Sequence, residues 1–263
     1  MNISLYGTGR AAGALGIVFA NAGHTIVGVD GRTPEHIAGT SALFDVTPGP
    51  ADLRVIAVSD DAIEEVARDL VDHADAVPTV HISGAVSVAA LDPIATSGSQ
   101  VGSFHPLQTM PDPVSGARQL RGAWIGITAA QPFYEDLANL AESIGGRPFS
   151  LADESKPLYH AAAAASANFV LASLAVAEDL FDAAGVPLEA AIPLVDAIVE
   201  NAFALGPRAA LTGPIARGDV ATVAKQLDAV REKDPELYEQ FVSLARVTAF
   251  IAGTSNRFKD VLG

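Results

Sequence analysis

Two short segments of the chain hold side chains that could handle protons beside a carbonyl or imine group. His105 ends an apolar run and is followed at once by Pro106, which restricts the backbone beyond it. Lys156 and His160 open an alanine-rich segment, and Asn168 follows two turns later. Imidazole titrates near neutral pH, a lysine ammonium can protonate or polarise an oxygen, and an amide can orient a substrate. These four residues are therefore the candidate catalytic groups.

Each of these residues also has a structural interpretation. His105 could bond to loop backbone, Lys156 could lie in solvent, and His160 and Asn168 could be satisfied within a helix interface. On an ideal helix Asn168 lies about 12 Å beyond His160 and about 80° round the axis. The three helical candidates therefore form no tight cluster by themselves, although they could line one wall of a cleft.

The N-terminal segment has the order of elements that would place a dinucleotide against such groups. The apolar residues 2–6 lead into a glycine turn, and small residues then open a helix. Gly7 allows a sharp turn, Gly9 leaves room for phosphates, and a helix from Arg10 would offer free N–H groups to an anion. Ala12 stands where a third glycine is usual. The candidate pyrophosphate contacts are Gly7, Thr8, Gly9, Arg10 and Ala11; the plain alternative is a turn rich in small residues.

The end of the second predicted strand bears on which nucleotide is bound. Asp30 favours NAD if its carboxylate faces the ribose hydroxyls, whereas Arg32 and Thr33 favour NADP because they suit a 2′-phosphate. Alternatively, Asp30 is a turn residue and Thr33 caps the next helix. We expect NADP rather than NAD.

Two further loops follow predicted strands and should line the same crevice. Val58 and Ser59 end the third strong strand, and Ser83 and Gly84 end the next one. Ligands collect at the carboxyl ends of strands in open α/β sheets, so both loops are candidate cofactor contacts.

The pattern of strands and helices divides the chain into two parts. Strand signals alternate with helical stretches up to about residue 152, which predicts an α/β domain with a parallel, doubly wound sheet. From residue 153 onward the pattern is helical, with breaks at glycine and proline. The predicted domains are 1–152, for the dinucleotide, and 153–263, all-helical, for substrate binding and dimerisation. The predicted strands are 2–6, 25–29, 54–58, 79–82, 100–104, 124–128 and 145–151; the predicted helices are 11–22, 63–73, 132–144, 158–184, 188–204, 219–231 and 235–255.

Composition narrows the range of partners. The 263 residues include 16 basic and 31 acidic ones, a formal charge of −15, which would repel nucleic acid and anionic membranes. There is no cysteine, so disulfides and thiolate metal sites are excluded, and no histidine spacing suggests a metal. We predict a cytoplasmic protein without a signal peptide. The uncharged residues 161–177 are interpreted as an interface helix rather than a membrane span.

The combination of motifs resembles a known family over essentially the whole chain. Its specific segments are His105-Pro106-Leu107-Gln108-Thr109 and Thr212-Gly213-Pro214 followed by Arg217-Gly218-Asp219. They are similar to a bacterial family with a Rossmann-like domain and a helical C-terminal domain of unassigned function. Its architecture is similar to that of the 6-phosphogluconate dehydrogenase-like group, which includes ketopantoate and pyrroline-5-carboxylate reductases.

This resemblance implies an NAD(P) oxidoreductase with an active site between the domains and a homodimer built through the helical half. One departure affects the catalytic assignment. The wider group often carries Lys and Asn four residues apart on the first long helix, whereas His160 stands there in this chain and the nearest asparagine is Asn168.

The sequence therefore predicts an NADP-dependent reductase of a small carbonyl acid, of the 2-oxo acid type that ketopantoate represents. Lys156 or His160 would protonate the oxygen, and His105 or Arg217 would hold the carboxylate. Two alternatives remain open: a cyclic imine reductase of the pyrroline-5-carboxylate type, and an NADP-binding sensor without turnover.

Overall fold

The computed structural model describes residues 1–71 and 76–263, which form two compact units. The first unit is Met1–Ala164 and the second is Ala165–Gly263. The division therefore falls later than the boundary predicted at residue 153. It lies inside one long helix, Lys156–Ala183, which begins in the first unit and ends in the second.

The first unit is built on a seven-stranded sheet. The strands are β1 (Asn2–Tyr6), β2 (Thr25–Asp30), β3 (Leu53–Ile56), β4 (Thr79–His81), β5 (Val101–Pro106), β6 (Trp124–Ala129) and β7 (Arg147–Ser150). Their order in the sheet is β2-β1-β3-β4-β5-β6-β7. All seven predicted strands are present, within a few residues of their predicted bounds.

The prediction of a parallel sheet needs one correction. Strands β1 to β5 pair in parallel, but β6 pairs antiparallel to β5 and parallel to β7. Side-chain alternation does not encode strand direction, which is why the sequence did not reveal the reversal.

Among the described residues, six α-helices lie between these strands, and a seventh follows β7. They are α1 (Arg10–Asn21), α2 (Pro34–Ser41), α3 (Ile63–Val71), α4 (Asp92–Thr96), α5 (Pro113–Gln119), α6 (Phe133–Ser143) and α7 (Lys156–Ala183). The prediction of helix at 63–73 is met as far as Val71, and the rest of it lies outside the described residues.

The core of the first unit is formed by the sheet and the apolar faces of its helices. Ile3 and Leu5 of β1 and Phe19 of α1 are fully buried in one cluster with Phe104 of β5. Side chains of β1 alternate between buried and partly buried positions, which holds the strand in the sheet. Because Gly7 directly follows β1, the glycine turn lies at the carboxyl end of this strand.

The second unit contains the rest of α7 and six further helices: α8 (Ile192–Leu205), α9 (Pro207–Ala210), α10 (Pro214–Arg217), α11 (Val220–Lys233), α12 (Tyr238–Ile251) and α13 (Lys259–Leu262). Its core lies between α11, α12 and the C-terminal residues, including Leu227, Val242 and Phe258. Asp219 caps α11 by accepting a 3.1 Å hydrogen bond from the Thr222 amide.

The helix run Asp153–Ala183 is, among the described residues, long and apolar enough to cross a membrane. None of its most apolar window is buried within this chain. If this helix is an interface helix, as the sequence predicts, a partner must therefore cover it.

Candidate active site

The glycine turn after β1 has the geometry predicted for it. Gly7 has φ of +133°, and a Cβ there would lie 2.1 Å from the Ala57 carbonyl oxygen, so no other residue fits without moving the backbone. Gly9 precedes α1, and a Cβ there would meet no atom within 4 Å. The first turn of α1 carries no acidic residue, so its free N–H groups remain available to an anion.

A cavity of about 1000 Å³ opens over this turn and holds most of the predicted cofactor contacts. Its lining includes Gly7 to Ala11, Asp30, Arg32, Thr33, Val58 and Ser59. His36 and Met110 also line it and are not among the contacts predicted from the sequence. Ser83 and Gly84, the other predicted contacts, follow β4, and Gly84 lies beside His105.

Thr33, which lines the cavity together with Asp30 and Arg32, has an unsatisfied hydroxyl. Thr33 stands at the position before α2, but its side chain makes no capping bond, and Pro34 follows. Its Oγ1 is buried and has no hydrogen-bond partner among the described residues. Thr33 is therefore the N-cap of α2 by position, as the alternative interpretation predicts, but its hydroxyl makes no capping bond and can donate to a ligand oxygen in the cavity that Arg32 also lines. The Asp30 carboxylate accepts a 2.7 Å hydrogen bond from the Gly31 amide.

A histidine–tyrosine pair lies beside the end of β5. His105 Nδ1 is 2.8 Å from Tyr159 Oη, and the two rings meet edge to face. The His160 ring follows at 6.4 Å from that of His105, with its side chain exposed. Gly84 gives His105 its room, because a Cβ there would lie 2.7 Å from the imidazole. Tyr159 was missed in the sequence because its partner is 54 residues away.

Burial sets the protonation states of this pair. Burial lowers the pKa of His105 to about 4; the His160 and Lys156 charges act in the same direction and the Asp60 carboxylate opposes them. Burial also raises the pKa of Tyr159 to about 12. Both side chains are consequently neutral at pH 7, and their hydrogen bond can run in either direction.

Asp60 connects this pair with the cofactor cavity. It directly follows Ser59, which lines the cavity, and its carboxylate is close enough to influence the pKa of both His105 and Lys156. The cavity and the histidine–tyrosine pair therefore belong to one edge of the sheet in the first unit.

Lys156 takes a different place from the one predicted. Its side chain is 1% exposed, and Nζ donates a 2.7 Å hydrogen bond to the Val86 carbonyl oxygen. Asp153 Oδ1 is 3.9 Å from Nζ. Burial lowers the pKa of Lys156 to about 8, although the Asp153 and Asp60 carboxylates oppose that change.

Behind these residues, His81 is buried in the sheet. Its Nδ1 accepts a 3.1 Å hydrogen bond from the Ser83 amide, which leaves the proton of the neutral ring on Nε2. Burial, with the Lys156 charge acting in the same direction, lowers its pKa to about 3. The buried Nε2 has no partner among the described residues.

The remaining predicted residues lie in the second unit. Asn168 is exposed on α7, and Arg217 ends α10. Their roles in a substrate site stay predictions.

Comparison with known proteins supports the fold. The family described as "Domain of unknown function (DUF2520)" matches residues 123–246, slightly under half of the chain. A search of curated proteins finds no match. The structure is similar to the "putative NADP oxidoreductase BF3122" of Bacteroides fragilis, with 22% identity, a TM-score of 0.80 and coverage of 95% of this chain and 98% of that one.

Two other solved structures are similar at lower scores. The Thermotoga maritima protein TM1727 has 20% identity and a TM-score of 0.67, and the alignment covers 94% of this chain and 98% of that one. An imine reductase from Myxococcus stipitatus, solved with NADP+, has 14% identity and a TM-score of 0.69, with coverage of 98% and 94%. These likenesses confirm a Rossmann-like α/β domain followed by a helical region; at such identities they show the fold alone.

Proposed function

We propose that this protein is an NADP-dependent reductase that transfers hydride to the carbonyl carbon of a small 2-oxo acid. The observation that carries the proposal is the arrangement at one sheet edge. A cavity suited to a dinucleotide with a 2′-phosphate shares that edge with a neutral histidine–tyrosine pair that can supply a proton. The three solved structures include proteins whose names specify NADP, which agrees with the choice of cofactor.

The residues present fit NADP. Gly9 and the start of α1 would hold the pyrophosphate with backbone N–H groups. Arg32 and the Thr33 hydroxyl would hold the 2′-phosphate, because a guanidinium and a free donor match its oxygens. When bound as NADPH, the cofactor supplies the hydride.

We assign the proton to Tyr159. The phenol keeps its proton at neutral pH, and it can donate to a substrate oxygen once His105 Nδ1–H donates to the phenol oxygen in turn. That hydrogen bond stabilises the negative charge that develops on the phenol oxygen. His160, exposed 6.4 Å from His105 between ring centres, would bind the substrate carboxylate. Lys156, predicted as an alternative donor, has its Nζ buried against Val86.

A cyclic imine acid is the second candidate substrate. The fold is shared with imine reductases and with a pyrroline-5-carboxylate reductase from Coxiella burnetii, at 17% identity and a TM-score of 0.57. Tyr159 would then donate to the imine nitrogen. The same site would serve, because C=O and C=N groups accept hydride at carbon and a proton at the heteroatom.

The test is NADPH oxidation, followed at 340 nm, with a panel of 2-oxo acids and a panel of cyclic imines. The proposal expects turnover with at least one 2-oxo acid, and turnover with imines alone would establish the second candidate. NADPH binding without turnover on either panel would mean a sensor and would overturn both.

We also propose that the protein is a homodimer through its helical unit. Four apolar side chains of α7 and α8 are largely exposed: Phe169 64%, Leu171 62%, Ile198 57% and Phe203 90%. An exposed apolar surface of this kind marks an interaction site. A formal charge of −15 disfavours an anionic membrane, so a second copy of the chain is the partner that we propose.

A further inference from the structure

We propose that Asp153 and Lys156 form a clamp that positions the 83–88 segment, the loop after β4, beside the reacting groups. The positioning role rests on the proposed function, whereas the clamp itself is a property of the folded first unit. Lys156 lies three residues before Tyr159 in the chain, so the same short stretch supplies the proton donor and holds the loop that lies against His105.

Three polar contacts make the clamp. Lys156 Nζ donates to the Val86 carbonyl oxygen at 2.7 Å. Asp153 accepts from the Val88 amide at 3.0 Å through Oδ1 and from the Ser87 hydroxyl at 2.5 Å through Oδ2. The two clamp residues are 3.9 Å apart between Nζ and Oδ1. Three consecutive residues of the loop are thus bonded to one turn of chain.

The other end of the loop is fixed as well. Ser83 Oγ accepts hydrogen bonds from the Ala85 and Val86 amides at 3.1 and 3.0 Å. Gly84, between these anchors, faces the His105 ring so closely that a Cβ would lie 2.7 Å from it. A shift of Val86 would therefore move Gly84 and change the space around His105.

The two polar partners of Lys156 account for its burial and indicate a positioning role. A buried ammonium is costly unless it is paired and hydrogen-bonded, and here it has a carbonyl and a carboxylate. Because the side chain is 1% exposed, Nζ would have to leave the Val86 oxygen to reach a substrate. Lys156 Nζ is therefore bonded to the loop, and the phenol of Tyr159 remains the group that protonates the substrate.

Hydrogen exchange measured by mass spectrometry tests the clamp without any assay of activity. In Lys156→Met and Asp153→Asn, exchange of the amides of residues 85–88 should rise about tenfold or more, since each variant removes a charge-assisted hydrogen bond. Exchange in β1 should stay as in the wild type. Lys233→Met and Asp136→Asn, at exposed positions, are the matched controls and should leave the loop unchanged.

Wild-type exchange at residues 85–88 in both clamp variants would overturn the proposal. Should Lys156→Met fail to fold, Asp153→Asn decides alone, because the amide keeps the shape of the carboxylate and removes its charge. This result does not depend on turnover, so it stands apart from the panel of substrates, whose failure would overturn the proposed function instead.

The pH profile of activity then separates positioning from proton transfer. A positioning role predicts that Lys156→Met lowers kcat by about tenfold or more and keeps the shape of the wild-type profile. A variant profile that loses an alkaline limb present near pH 8 in the wild type would make Lys156 the proton donor and would overturn the positioning role.

Discussion

The two units of this chain distribute polar and apolar side chains in opposite ways. The first unit buries titratable groups, with His81 of β4 and Lys156 at the start of α7 both fully buried. The second unit leaves large apolar side chains in the open, with Phe203 at 90% and Phe250 at 71%. Buried charge and exposed hydrocarbon both cost free energy when they stand alone.

The difference suggests two kinds of function. In the first unit each of these two groups has a hydrogen-bond partner within the unit, the Ser83 amide for His81 and the Val86 carbonyl oxygen for Lys156. In the second unit large apolar side chains of α7 and α8 are exposed, and we propose that a second copy of the chain covers them.

Removing the proton donor should abolish most of the activity of the first unit while leaving the second unit unaffected. We expect Tyr159→Phe to lower kcat by about 10² to 10³, since positioned acids contribute in that range, with NADPH affinity nearly unchanged. Steady-state kinetics and calorimetric titration check the two parts. Tyr134→Phe, which alters a tyrosine packed against the core, is the control. A Tyr159→Phe enzyme with wild-type kcat would remove Tyr159 from the chemistry.

Alanine substitutions at two glycines of the cofactor turn should have different effects, one on the stability of the fold and the other on NADPH binding. Gly7→Ala places a Cβ 2.1 Å from the Ala57 oxygen at positive φ, so we expect a loss of about 2 kcal/mol or more of unfolding free energy. Gly9→Ala has open space and ordinary φ, so the fold should keep its stability while NADPH binding weakens. Urea unfolding and titration measure both. Equal stability losses in the two variants would contradict the account of the turn.

On the second unit, a charge in the apolar surface should break the dimer. Phe203→Glu replaces a largely exposed apolar side chain of α8 with a carboxylate. We expect the dimer dissociation constant to rise about tenfold to a hundredfold. Light scattering across a dilution series gives the constant. Gln240→Glu, on the exposed side of α12, adds the same charge outside the surface and should have no effect. A wild-type protein that is monomeric at every concentration would refute the proposed dimer.

Acid should destabilise the first unit through its buried histidines. The pKa of His81 is lowered to about 3 and that of His105 to about 4, from 6.5, so below pH 6.5 the unfolded state takes up the protons first. Stability is therefore complete above pH 6.5 and falls toward pH 4, by at most about 1.4 kcal/mol per pH unit for each histidine. Unfolding midpoints across that range should show a shallower slope in His81→Gln and the wild-type slope in His36→Gln.

The sequence predicted the elements of the first unit better than the contacts between them. Apolar alternation located all seven strands, and the glycine spacing located the cofactor turn, because both are local properties. Strand direction in β6 and the pairing of His105 with Tyr159 depend on residues far apart in the chain, and one sequence carries no sign of such contacts. The burial of Lys156 depends on Val86, 70 residues earlier, so its position at the start of a helix indicated an accessible donor.

The central claim is that the cavity over the glycine turn is an NADP site, and calorimetric titration with NADPH, NADP+, NADH and NAD+ tests it most directly. We predict that the two forms with a 2′-phosphate, NADPH and NADP+, bind to the wild type. In Arg32→Ala they should bind about tenfold to a hundredfold more weakly, as expected for a lost guanidinium–phosphate contact, with NADH unchanged. Arg68→Ala, at an exposed arginine of α3, should behave as the wild type. Absence of binding of all four nucleotides to the wild type would contradict the account.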